Sequence, residues 1–166
     1  MKMPVLARSV LIALLLSLMA PLANGAMATP RSSICVDSYQ PDDQMALAHV
    51  VSGPEYHIFI LPFATDDHHW AMFDAQAGYV YQIDAAPGAS PAVPVLHLYD
   101  EGGNLLAEND HYFNNDAEIW WWNNGADQTL YVETTEAREL VGCAFNYTFS
   151  VTPWAPGAFQ AQFGNQ

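Results

Sequence analysis

The sequence predicts an all-β protein built as an antiparallel β-sandwich. Apolar and polar side chains alternate with a period of two in several segments, among them 79–83, 96–99 and 145–151. This period is typical of strands that bury one face. Turns rich in Gly, Asn and Asp separate the segments, and no stretch after residue 28 carries a long apolar period of 3.6 residues. Many short strands with such turns indicate a sandwich.

The strand candidates, in chain order, are 57–63, 69–75, 79–83, 96–99, 119–122, 129–134 and 145–151. Turns are predicted where glycine can supply a positive φ, at 77–78, 100–104 and 123–127. The proline-rich segment 87–94 predicts a loop, and 44–49 predicts one short helical turn. The composition of 153–166 predicts a poorly ordered tail, so the folded domain is expected over 29–152.

Residues 1–28 have the pattern of a cleaved secretory signal peptide. Lys2 and Arg8 precede or flank an apolar stretch, 10–19, and small residues follow it at 26–28. The apolar stretch is too short to span a bilayer comfortably. We therefore expect a secreted or periplasmic protein that has no membrane-inserted segment once the leader is removed.

The charge balance excludes some partners. The chain carries a formal net charge of −14, and after residue 28 only Arg31 and Arg138 oppose 18 acidic residues. A field of this sign repels nucleic acid and anionic membranes and attracts cations. The high aromatic content, 13%, argues against disorder. The composition leaves the oligomeric state open.

The two cysteines, Cys35 and Cys143, predict one disulfide. An exported chain with two thiols and no CxxC spacing normally pairs them. The bond would close a loop of roughly 100 residues, which the chain-entropy description values at about 4 to 5 kcal/mol.

Eight segments occur in the order found in a known family of secreted domains: 37–43, 67–73, 75–83, 95–100, 105–110, 119–122, 129–132 and 147–151. In these segments the chain resembles the bacterial pre-peptidase C-terminal (PPC) domain. The resemblance implies a jelly-roll-like β-sandwich of the kind appended to secreted peptidases and other exported enzymes, without catalysis of its own. The related collagen-binding domains of clostridial collagenases bind calcium near the N-terminal acidic motif.

The resemblance makes calcium the candidate cofactor, because its acidic motif and a second acidic loop would lie side by side and supply oxygen ligands. Gln40 and His69 stand where the family commonly has acids, which lowers the negative charge of such a site. The alternative is a solvated acidic turn that caps backbone amides. The predicted metal-site residues are Asp42, Asp43, Asp66, Asp67 and His69.

A transition-metal site is a second hypothesis. His68 and His69 follow Asp66 and Asp67, and zinc or copper accepts imidazole together with carboxylate. Neighbouring residues on a strand point to opposite faces, so the two histidines cannot both bind one ion without a bulge. Further imidazoles are available at His57 and His111.

The run 119–122 predicts an aromatic surface. Alternation places Ile119 and Trp121 on one face of the strand and Trp120 and Trp122 on the other. One pair fills the core, and the other is either covered by the tail or a long loop, or exposed. Exposed indoles stack on sugar rings or on a protein partner, and Tyr112 would extend such a surface.

No pattern indicates catalysis: the serines lack a nucleophile-elbow context, and no lysine follows residue 28. The predicted function is a secreted, non-catalytic binding or accessory module that recognises an extracellular protein or polysaccharide, with calcium as an ordering ion. One alternative is an inhibitor or folding helper that acts in trans on an exported enzyme. The other is a small secreted hydrolase.

Overall fold

The structure is a computed structural model that describes residues 35–60, 67–110 and 115–158. In these ranges it contains a 3-10 turn, Met45–Leu47, and nine strands. The strands are β1 His49–Val50, β2 Glu55–Ile58, β3 His69–Ala75, β4 Val80–Ala86, β5 Pro94–Tyr99, β6 Leu105–Asn109, β7 Ala117–Trp122, β8 Gln128–Glu136 and β9 Asn146–Trp154. The predicted all-β class is confirmed.

The strands form two sheets, one of five strands in the order β1-β3-β8-β5-β6 and one of four in the order β2-β9-β4-β7. Pairing is antiparallel except between β1 and β3, which run parallel. Strand β2, near the start of the domain, pairs with β9 at its end. The predicted antiparallel, jelly-roll-like sandwich is therefore confirmed.

The core lies between the inner faces of the two sheets, as the period-two pattern predicts. In β4 the inward residues Tyr81, Ile83 and Ala85 are buried, and Ile83 lies in register with Ile119 of β7 and Val151 of β9. The opposite sheet contributes Leu96, Leu98, Leu130 and Val132. Burying a side chain of this size stabilises the fold by about 1.5 to 3 kcal/mol.

Two of the predicted turns are present, and the last strand extends past the predicted end of the domain. Gly78 and Gly103 have φ of 81° and 75°, as the two predicted turns require. Strand β9 continues to Trp154, two residues past the predicted domain end at 152, with Pro153 in register with Tyr81. Among the described residues, β2 pairs with β9 only as far as Phe149, so the later residues of β9 form a free edge on that side. Proline is tolerated at a free edge because it has no N–H to donate. The rest of the predicted tail, 159–166, lies outside the described residues.

The predicted disulfide between Cys35 and Cys143 is confirmed, with the two Cα atoms 5.4 Å apart. It joins the start of the described chain to the segment before β9. The predicted signal peptide, 1–28, lies outside the described residues. Among the residues that are described, no helix has the length and apolar character needed to cross a bilayer.

Candidate functional sites

Ionisable side chains gather inside the sandwich, where β2 of one sheet faces β3 of the other. We call this group the ionisable cluster. Six of its members are buried and His49 is half-buried. The rings of His57 and His69, one from each sheet, have centroids 5.0 Å apart. The cluster consists of Asp37, Asp42, His49, Glu55, His57, Asp67 and His69.

Three parts of the chain bring the cluster together. Strand β2 points Glu55 and His57 inward, because residues two apart share a face of a strand. The first residue of β3, His69, points inward from the other sheet. The N-terminal segment 35–43 crosses beside them, since the disulfide holds its start and Trp70 N–H donates to the Asp42 carbonyl at 2.9 Å.

Asp37 is the most fully bonded carboxylate of the cluster. Its oxygens accept hydrogen bonds from the backbone N–H groups of Tyr39, at 2.9 Å, and Ile58, at 2.8 Å. Its Oδ2 also lies 3.2 Å from His57 Nδ1 and 3.8 Å from His69 Nε2. Burial raises the pKa of Asp37, but the interaction with His57 and the backbone bonds outweigh burial, so the pKa is lowered overall.

Asp67 supplies a second fixed carboxylate. Its Oδ2 accepts a hydrogen bond from Ile60 N–H at 2.6 Å and lies 3.2 Å from His69 Nε2. Gln40 donates to its Oδ1 at 3.2 Å. Gln40, a neutral residue within the acidic motif, therefore bonds to Asp67 and adds no charge.

The two central imidazoles are oriented by partners on their outer nitrogens. His57 Nε2 lies 3.4 Å from Glu55 Oε2, and His69 Nδ1 lies 2.6 Å from the Tyr147 hydroxyl. Glu55 Oε2 is also 2.7 Å from His49 Nε2. This arrangement turns Nδ1 of His57 and Nε2 of His69 towards Asp37.

These contacts shift two pKa values strongly. Burial lowers the pKa of His57, but its interactions with Asp37 and Glu55 outweigh burial and raise the pKa to about 9. Burial raises the pKa of Glu55, but the hydrogen bonds with His49 and His57 outweigh it and lower the pKa to about 2. In water-exposed positions neither group would depart so far from its usual value.

Asp42 differs from the other acids of the cluster. Its side chain is 0% exposed, and neither carboxylate oxygen has a hydrogen-bond partner among the described residues. An imidazole nitrogen, His49 Nδ1, lies 3.7 Å from Asp42 Oδ2. Burial raises the pKa of Asp42 to about 6. A buried polar group without a partner costs about 1 to 3 kcal/mol, and more when it is charged.

The structure brings together three of the five predicted metal-site residues, Asp42, Asp67 and His69. Asp43 is exposed beside the buried Asp42 and does not share its burial. Asp66, like His111 of the second hypothesis, lies outside the described residues. His68 points away from His69, with its Nδ1 2.5 Å from Glu133 Oε1, as strand alternation predicts.

Sequence reasoning did not assign Asp37, His49, Glu55 or Tyr147 to this site. One signal was present: Glu55, His57 and Phe59 are spaced by two, so an inward His57 implies an inward Glu55. Asp37 was visible in the acidic motif but carried no distinguishing feature. Tyr147 enters through the pairing of β9 with β2, which the sequence pattern does not reveal.

The second candidate site, which we call the aromatic face, is the outer surface of the four-stranded sheet at β7, β4 and β9. Trp120 and Trp122 point outward and are 38% and 59% exposed. Ile119 is buried and Trp121 packs partly against the core, as predicted by alternation. Trp154 of β9 lies beside Trp120, with ring centroids 6.0 Å apart.

Polar groups are fixed next to these indoles. Glu118 Oε1 accepts hydrogen bonds from Trp120 Nε1 at 2.7 Å and from Gln82 Nε2 at 2.8 Å. Asp84 is in register with Glu118, and burial together with the Glu118 charge raises the pKa of Asp84 to about 6. The aromatic face thus combines apolar rings with amide and carboxylate groups whose positions are fixed by hydrogen bonds. Tyr112, predicted to extend it, lies outside the described residues.

Comparison with known proteins bears on the fold. No protein-family model and no curated protein matches the chain. Among solved structures, the chain is similar to the pre-peptidase C-terminal domain of collagenase from Bacillus anthracis. The TM-score is 0.50 at 14% sequence identity, over 63% of this chain and 94% of the other. The resemblance to the PPC domain is therefore confirmed as a shared β-sandwich fold.

Proposed function

We propose that this protein is an exported, non-catalytic accessory module that binds a neutral polysaccharide through the aromatic face. The outward orientation of Trp120 and Trp122 carries the proposal. An indole exposed on the outer side of a sheet forgoes part of the burial that normally stabilises such a side chain. Contact with a ligand would recover that burial.

The groups around the indoles favour a sugar as the ligand. Indole rings stack on the apolar faces of pyranose rings, whose hydroxyl groups then need hydrogen-bond partners at the edge of the ring. Gln82, Asp84 and Glu118 supply donors and acceptors at that level of the sheet. Because two of these groups are carboxylates and the whole chain is acidic, an anionic polysaccharide would be repelled.

Two further observations support an accessory role outside the cytoplasm. The Cys35–Cys143 disulfide is of a kind that persists in oxidising compartments, which agrees with the predicted leader. The similar solved structure is a domain of a collagenase, so a fold of this kind occurs attached to an enzyme.

The proposal is tested by retention of the purified protein on cellulose, chitin and starch, with polygalacturonate as the anionic polymer and gelatin as the protein ligand. We expect retention on at least one neutral polysaccharide. Trp122→Ala should weaken it tenfold or more, which corresponds to about 1.4 kcal/mol. Trp70→Ala removes an indole of the five-stranded sheet, where it packs on Tyr99. This variant is the matched control and should leave retention unchanged.

Two results would contradict the proposal. Retention on gelatin alone, lost in Trp122→Ala, would assign the aromatic face to a protein partner. Equal weakening by Trp122→Ala and Trp70→Ala would show that neither indole marks a specific surface.

A further inference from the structure

We infer that the ionisable cluster is a binding site for a divalent transition ion of the zinc class, with Asp37, His57 and His69 as its ligands. The three residues come from the N-terminal segment, β2 and β3, and all three are buried. One ligand atom from each lies within 4.8 Å of the other two. The inference is independent of the aromatic face, which lies on the outer side of the sheet.

The separations of the ligand atoms suit a tetrahedral ion. Zinc bonds of about 2.0 to 2.1 Å to nitrogen and oxygen place neighbouring ligand atoms roughly 3.3 Å apart. Asp37 Oδ2 lies 3.2 Å from His57 Nδ1 and 3.8 Å from His69 Nε2. Small side-chain movements therefore bring all three atoms to one ion.

The partners of the two imidazoles also match a metal site. A histidine that binds a metal normally donates its other ring N–H to a carboxylate, carbonyl or similar acceptor, which fixes the tautomer and the ring orientation. His57 has Glu55 at its outer nitrogen, 3.4 Å away, and His69 has the Tyr147 hydroxyl at 2.6 Å. The inner nitrogen of His57, Nδ1, faces Asp37 Oδ2 at 3.2 Å.

Asp42 provides an independent indication that a cation belongs here. Its carboxylate is fully buried, and both oxygens lack hydrogen-bond partners in the described part of the chain. Its Oδ2 lies 3.7 Å from His49 Nδ1 and its carbonyl accepts a hydrogen bond from Trp70 N–H, next to His69, so it belongs to the same cluster as the three ligands. A divalent ion at their centre would compensate this buried carboxylate, and half-buried His49 marks the side of the cluster nearest solvent.

The ligand chemistry favours zinc over calcium. Calcium takes six to eight oxygen ligands, whereas the cluster offers two inward imidazole nitrogens. The oxygens of Asp37 and Asp67 are already used in part by backbone N–H groups. Imidazole with carboxylate at low coordination number is the set that zinc accepts.

The experiment begins with the disulfide-bonded protein dialysed against EDTA and then titrated calorimetrically with zinc chloride or calcium chloride. We expect one zinc ion per chain, at least a hundredfold weaker calcium binding, and a zinc-dependent rise in the melting temperature. Calcium binding equal to or tighter than that of zinc, or no binding of zinc, would overturn the inference.

Two variants locate the ion. His57→Gln should weaken zinc binding at least a hundredfold. His68→Gln removes the neighbouring histidine that pairs with Glu133 outside the cluster, so it is the matched control and should leave zinc binding unchanged. Loss of binding in His68→Gln with retention in His57→Gln would place the ion elsewhere and overturn the assignment.

Two measurements keep the inference testable if His57→Gln does not fold. Tyr147→Phe removes only the hydroxyl next to His69 and should weaken zinc binding 10- to 100-fold, as loss of an outer partner normally does. X-ray absorption of the zinc-loaded natural protein should show a low-coordinate shell that includes imidazole. A shell of water oxygens alone would overturn the assignment.

Discussion

The two sides of the four-stranded sheet differ from each other in an unusual way. At the β2 end of the inner side, Glu55 and His57 occupy positions that a core normally fills with apolar residues. On the outer side, at the opposite edge, Trp120 and Trp122 occupy positions that normally carry polar residues. Between them β4 follows the ordinary pattern, with Ile83 inside and Gln82 outside. The exceptions therefore stand out against a regular sheet.

The exceptional residues on the two sides of the sheet lower the stability of the fold. An indole in water and a carboxylate in the core are each less favourable than the reverse arrangement. A small domain has only about 5 to 15 kcal/mol of net stability from which such losses can be met. Residues that break the local rules in an otherwise consistent fold are expected at functional sites. Both candidate sites meet this criterion.

The largest expected effect comes from releasing the N-terminal segment, which should disturb the inner side of the sheet and leave the outer side intact. Reduction of Cys35–Cys143, which spans 108 residues, should lower the free energy of unfolding by about 4 to 5 kcal/mol. The melting temperature should fall by more than about 10 °C. Asp37, a ligand of the inferred zinc site, is two residues from Cys35, so the zinc-dependent rise in melting temperature should also disappear. The measurement is thermal unfolding with and without reductant.

The outer side supplies the control for this prediction. At temperatures where the reduced protein is still folded, polysaccharide retention through Trp122 should persist. An unchanged melting temperature after thiol titration has confirmed reduction would mean that the pairing of β1 with β3 holds the segment by itself.

The second prediction compares the two sides directly. Ile83→Ala, in the regular inner core of β4, should lower the free energy of unfolding by about 2 to 5 kcal/mol, because it leaves a cavity. Trp122→Ala removes a larger side chain from the outer side, yet should change it by less than about 1 kcal/mol. Urea unfolding measures both. A larger loss for Trp122→Ala would assign that indole to the structural core.

The smallest expected effect concerns the pH dependence at Asp84. Its pKa of about 6 in the folded protein exceeds the ordinary value of 3.8. Between these values the folded state binds more protons than the unfolded state, so stability falls as the pH rises through this range. Asp84→Asn should remove that decline, so its melting temperature relative to the natural protein should be higher at pH 7.5 than at pH 4. An equal difference at both pH values would contradict the assigned shift.

The sequence pattern predicted seven of the nine described strands, missing β1 and β6, and it did not predict which strands become neighbours. Alternation located β3 at His69–Ala75 with its correct bounds, and it divided the residues of β7 correctly between two faces. It could not show that Trp120 and Trp122 are the outward pair, because the choice depends on where the opposing sheet lies. The parallel pairing of β1 with β3 was equally invisible, since two residues carry no periodic signal.

The ionisable cluster could be predicted only in part, because the sequence does not show which strands face each other across the sandwich. The resemblance to the PPC domain placed Asp42 and Asp67 on adjacent loops, and the structure brings both into the cluster. His57 and His69 meet because β2 and β3 face each other from different sheets. Nothing in either segment specifies that relation, which follows only from the packing of the whole sandwich.

The pairing of β2 with β9 has a consequence for the order of assembly. Tyr147, which holds His69, comes from the last strand of the domain, whereas Asp37 comes from its first described segment. Contacts between such distant parts of a chain form late in folding, because the intervening loop must close first. The zinc site proposed here is therefore completed only when the final strand has docked, and the ion would be acquired by the finished domain rather than by a growing chain.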